Sequence, residues 1–125
     1  MKLDHVNIRT ASLEVMRAWY VRVLGLVDGW RPPFSFPGAW LYAGDAPIVH
    51  LVGVERAPSA AAADLRLEHF ALQGDDLQAL RARLEADEVP YHEGRVPGTD
   101  LLQINVHDPD GNHIHVDFHV GKAGS

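Results

Sequence analysis

Eight histidines are the chemically most capable residues of this 125-residue chain, which contains no cysteine. Without thiolates, any bound metal must take nitrogen and oxygen ligands, and a disulfide framework is excluded. Two spacings nearly repeat: His5 precedes His50 by 45 residues and His69 precedes His115 by 46. Neutral imidazoles converging from rigid strands suit Zn, Fe, Ni, Co or Cu, whereas Mg and Ca prefer oxygen. The expected metal ligands are His5, His69 and His115. His50 is expected to act either as a fourth ligand or as a proton shuttle. A single histidine on a strand is more often a hydrogen-bonded core or surface residue, and the repeat is what argues for ligands here.

The elements that must position these rings follow from self-similarity. Leu3-Asp4-His5-Val6-Asn7-Ile8-Arg9 aligns with Leu67-Glu68-His69-Phe70-Ala71-Leu72-Gln73 at an offset of 64, and Leu13 and Arg17 fall on Leu77 and Arg81. Leu13, Met16, Tyr20, Val23 and Leu24 recur at helical spacing, with Ser12 as N-cap and Gly25 as the stop. Leu77, Leu80 and Leu84 form the second stripe, capped by Asp75 or Asp76, with Val89-Pro90 beyond its end. Strands are expected at residues 38–42 and 48–52, and again at 101–106 and 113–118 across the turn Asp108-Pro109-Asp110-Gly111-Asn112. Each half reads strand, helix, then two or three strands. The reading is one domain over residues 1–125, with module one at about 1–55, a linker at about 56–64 and module two at about 65–120.

Strand alternation places the histidines. Val6 and Ile8 face the first helix and leave His5 on the other side; Phe70 and Leu72 do the same for His69. Val49 and Leu51 oppose His50, while Ile114, Val116 and Phe118 oppose His113, His115, Asp117 and His119. His92 and His107 read as solvated turn residues. One of the two rings flanking His115 is expected to line the same pocket.

Thirteen residues, Trp30 to Tyr42, hold five aromatics and three prolines. They make either a core-packing hairpin or an aromatic wall over a small ligand, with Phe34 and Trp40 supplying ring faces and Arg31 an anion contact. The loop Gly94 to Thr99 offers Arg95 for the equivalent role, and Gln103 faces the pocket.

The net charge of −6, with no basic run, argues against a nucleic acid partner or an anionic membrane surface. There is no apolar stretch of membrane-spanning length and no secretory h-region, which predicts a soluble, cytoplasmic protein.

These residues resemble the vicinal oxygen chelate superfamily, which includes glyoxalase I, extradiol ring-cleaving dioxygenases, fosfomycin-resistance enzymes and bleomycin-resistance proteins. The resemblance rests on Leu3-Asp4-His5-Val6, Trp19-Tyr20-Val21-Arg22-Val23-Leu24-Gly25-Leu26, Leu67-Glu68-His69-Phe70-Ala71 and the Asp-Pro-Asp-Gly-Asn turn. It implies an α+β fold of two βαβββ modules forming a cup-shaped mixed sheet around a metal, and commonly a homodimer. It also implies ligands on the first and last strands of the modules, positions matched by His5, His50, His69 and His115. Four residues after Gly111 the family usually carries a glutamate ligand; here His115 stands there. An imidazole leaves the metal's charge unneutralised and removes an acid/base group. Two functions are expected from this: a metal-dependent lyase, isomerase or dioxygenase acting on a small oxygen-chelating or aromatic substrate, or a metal-free protein of bleomycin-resistance type that sequesters an aromatic compound.

Overall fold

The computed structural model describes residues 1–60 and 64–121, and the chain divides into two compact units, residues 1–59 and 60–125. Unit one runs β1 (Val6–Thr10), α1 (Leu13–Arg22), β2 (Val27–Gly29), β3 (Gly38–Ala43) and β4 (Ala46–Gly53), with sheet order β1-β4-β3-β2. Unit two repeats the plan with β5 (His69–Gln73), α2 (Leu77–Ala86), β6 (His92–Arg95), β7 (Leu101–His107) and β8 (His113–His119), in the order β5-β8-β7-β6. In each sheet the first strand lies parallel to the last and the other pairs are antiparallel. The fold is α+β, two four-stranded mixed sheets each with one helix.

The helices form where the apolar spacing placed them. Met16, Trp19 and Tyr20 are buried on α1, and Leu80 and Leu84 on α2. The Asp76 carboxylate accepts from the Ala79 N–H at 3.0 Å, an N-cap that satisfies one free donor of the first turn. Ser12 occupies the N-cap of α1, but its hydroxyl makes no capping bond; Thr10 Oγ1 instead accepts from the Ser12 N–H at 2.9 Å. Gly25 ends the helical segment as expected, at φ 73°, where a side chain would strain the backbone.

Two short strands escaped the sequence pattern. Val27–Gly29 and His92–Arg95 are only three and four residues long. They are held less by their own composition than by their neighbours and by an arginine on each helix. Arg17 Nε lies 3.4 Å from Asp28, and Arg81 grips Glu93 with two bonds of 2.6 and 2.9 Å. The loop expected at residues 94–99 is therefore shorter, because Gly94 and Arg95 pair with Gln103 and Leu102. His92, expected in a turn, opens β6 and is exposed, while His107 closes β7. Within the expected linker, residues 56–60 carry no strand, and residues 61–63 lie outside the described residues.

The turn before β8 fixes that strand's start. Asp108 is 4% exposed, and its carboxylate accepts from the N–H groups of Asp110 and Asn112 and from the Asn112 amide, at 2.9–3.0 Å. Gly111 takes φ 89° to close the turn. Ile114, Val116 and Phe118 are then buried, which leaves His113, His115 and Asp117 on the opposite face. No helix among the described residues is long and apolar enough to cross a membrane.

Candidate metal centre

Two neighbouring parallel strands bring three imidazoles of unit two together. In the β5–β8 register His69 stands beside His113 and Ala71 beside His115. The His69 and His115 rings stack at 4.0 Å and 14°. His113 meets His115 at 4.7 Å and His69 at 5.3 Å, both steeply inclined. One nitrogen from each ring lies within 4.8 Å of the others, a spacing that can hold a metal ion.

The surroundings of His115 favour a lone pair. His115 Nδ1 is buried and makes no hydrogen bond. Burial lowers the pKa of this ring, and repulsion from His69 and His113 lowers it further, so the neutral, ligating form is preferred. An orphaned buried nitrogen flanked by two more imidazoles is a donor set that fits a transition cation. Glu68 Oε1 binds His69 Nδ1 at 2.6 Å and Oε2 binds His113 Nδ1 at 2.7 Å. These bonds, the one with His113 first, hold the Glu68 carboxyl below its usual range. Asn105 Oδ1 lies 3.1 Å from His113 Nε2, and His107 stacks on His113 at 5.0 Å.

Unit one repeats part of this arrangement. His5 stacks on His50 at 3.8 Å and 11°, and Asp4 binds His5 Nδ1 at 2.6 Å. Trp40 sits directly opposite His50 across the β3–β4 pair and covers its other face at 4.1 Å. His50 is 8% exposed, donates from Nε2 to the Pro47 carbonyl at 3.0 Å, and has its pKa lowered, first by burial and then by His5. A third imidazole is missing there. The β1–β4 register pairs Val6 with Val49, as β5–β8 pairs Phe70 with Ile114, so Ile48 stands where unit two has His113.

The aromatic segment forms one cluster. Trp30 meets Trp40 edge-on at 6.2 Å, Phe34 lies 6.5 Å from Trp40, and Phe34 stacks with Phe36 at 5.0 Å. Arg31 lies over Phe34 and Phe36 at 5.0 and 4.9 Å and donates to the Phe36 carbonyl at 2.9 Å. Trp30 stays 70% exposed. Arg31, Phe34 and Trp40 thus lie in one cluster. Arg95 instead donates to the Gly121 carbonyl at 2.9 Å, and Gln103 is half-buried in β7 between Gly94 and Asp117.

Sequence parity puts His113 and His119 on the face of His115 and makes His119, near the C-terminal tail, the more exposed of the two. In the structure His113 stands beside His69 in the strand register, whereas His119 is exposed and pairs with Asp100 at 3.0 Å.

The family model of the Glyoxalase/Bleomycin resistance protein/Dioxygenase superfamily matches residues 2–116. The chain belongs to this superfamily. Solved structures agree on the superfamily fold. A glyoxylase/bleomycin resistance protein/dioxygenase domain from Frankia sp. EAN1pec superposes with a TM-score of 0.78 at 15% identity, covering 100% of this chain and 95% of that one. A lactoylglutathione lyase from Agrobacterium tumefaciens gives 0.66 at 22% identity, with 91% and 90% covered. A glyoxalase/bleomycin resistance protein/dioxygenase from Alicyclobacillus acidocaldarius gives 0.67 at 19%, with 94% and 91% covered. No curated protein matches the sequence significantly. Within the superfamily framework, His69 on β5 and His115 on β8 occupy the first and last strands of the second module.

Proposed function

We propose that this chain is a metal-dependent enzyme of the glyoxalase/dioxygenase type, acting on a small oxygen-bearing or aromatic molecule. The observation that supports this most is the cluster of His69, His113 and His115, with the buried, unbonded Nδ1 of His115 within it. His69, His113 and His115 would hold a divalent ion there, and such an ion would supply Lewis acidity toward a substrate oxygen. The ligands are uncharged, so the site draws an anionic or strongly polarised oxygen. In unit one, Trp40, Phe34 and Arg31 would offer ring faces and a cation to a flat molecule. His50 is held neutral and is suited to accept a proton.

Metal analysis of protein purified without an affinity tag tests this reading. After incubation with Zn, Fe, Ni or Co, close to one equivalent is expected, and His69→Ala should lose it while keeping its fold; uptake below about a tenth of an equivalent overturns the proposal. His5→Ala and His50→Ala in the same titration test the ligand and proton-carrier roles expected of the first module. The aromatic cluster favours a second reading, a metal-free protein that sequesters an aromatic compound. That reading is selected if no metal binds and Trp40→Ala abolishes binding of an aromatic probe.

A further inference from the structure

Glu68 is the residue of the cluster that the proposed chemistry has not used. It lies immediately before β5, with its side chain 68% exposed, yet each of its oxygens is committed to a different imidazole. Exposed ion pairs add little to stability, because solvent weakens the attraction and two side chains must be ordered. Two short bonds from one exposed carboxylate therefore need another purpose than holding the fold. The repeat shows which. Asp4 holds the equivalent place in unit one and bonds His5 alone, where Ile48 stands in place of a further imidazole. The longer acidic side chain and the extra histidine occur together, in unit two.

We propose that Glu68 is a positioning residue that clamps His69 and His113 through Nδ1, so that both rings present Nε2 to one metal ion. This role rests on the metal-dependent reading above. A carboxylate only accepts, so it holds a proton on Nδ1 of each ring and leaves the Nε2 of His69 its lone pair; it also raises the basicity of the ligating nitrogen. On His113, Nε2 donates to Asn105 Oδ1, so that proton and that contact are given up when the ion binds. His115, whose Nδ1 has no partner, needs no such clamp.

The test is Co²⁺ titration of the metal-free chain and of Glu68→Gln, followed by the visible bands of the bound ion and by competition with a chelator. The variant should bind about 10–100-fold more weakly, with shifted bands, while its thermal midpoint without metal stays that of the parent. Long-range ¹⁵N–¹H spectra of the metal-free proteins give an independent reading: His69 should be the Nδ1–H tautomer in the parent and shift toward Nε2–H in the variant. Glu68→Asp keeps the charge but reaches one ring only, and should lie between. Equal affinity and unchanged tautomers in Glu68→Gln, with Co²⁺ still bound by the parent, overturn the clamp alone. A thermal midpoint that falls with the affinity makes Glu68 a structural residue and also overturns it. Absence of Co²⁺ uptake by the parent overturns both the metal reading and the clamp.

Discussion

An imidazole that is buried or half-buried against another imidazole resists protonation, and among the described residues His50 and His115 are such rings, one per repeat. His50 stacks on His5 and His115 on His69, and both have their pKa lowered chiefly by burial. The sign of the resulting pH dependence follows. In the unfolded chain these rings take protons as pH falls through the ordinary imidazole value of about 6.5, while in the folded chain they resist until lower pH. The unfolded state then binds more protons, so stability falls as pH drops below that value. Denaturation midpoints measured at about pH 7.5 and 5.5 should differ in the parent, and the difference should shrink in His50→Leu, which removes one titrating ring. An unchanged difference in the variant would show that His50 is not one of the groups responsible. At this scale the sequence was informative in a particular way. Repeat spacing picked out His5, His50, His69 and His115, and the structure stacks them in two pairs. It could not weigh His113, whose place beside His69 depends on a register between strands more than forty residues apart.

Among the elements that aim these rings, one close approach concerns a glycine. A Cβ on Gly74, at the end of β5, would lie 2.4 Å from Phe118 Cε1 and 2.9 Å from Val116 Cγ1, both buried side chains of β8. Neither can swing into solvent. Gly74→Ala should therefore cost about 1–3 kcal/mol in denaturant unfolding and spread β5 from β8 at the strand pair that carries the three histidines. Gly98→Ala probes a different cost. Nothing lies within 4 Å of a Cβ there, but its φ of +78° makes the loss conformational. Strands β1, β5 and β8 were legible because alternation marks a strand with one buried face. Strands β2 and β6 were not, because three or four residues cannot show a period. Their pairing partners and the Arg17–Asp28 and Arg81–Glu93 pairs that fasten them come from elsewhere in the chain.

For the molecule as a whole, metal binding and folding are the same free energy seen from two sides, because the unfolded chain has no assembled site. The ligands proposed here come from β5 and β8, strands that precede and follow α2, so a single ion ties together the two ends of the second repeat. Zn²⁺ at about one hundred times its dissociation constant should add about 2.7 kcal/mol to stability. In a chain of this size that is a rise in Tm on the order of 10 °C. The rise should fade as pH falls, since protons compete for the same lone pairs. It should fade last for rings already disposed to stay neutral, and His115 is such a ring. Melting curves with and without Zn²⁺ across that pH range, run alongside His115→Leu, check both parts. The variant should lose the Zn²⁺-dependent rise at every pH. A rise that survives in His115→Leu would place the stabilising ion elsewhere in the chain and remove the main support for a centre built on β5 and β8.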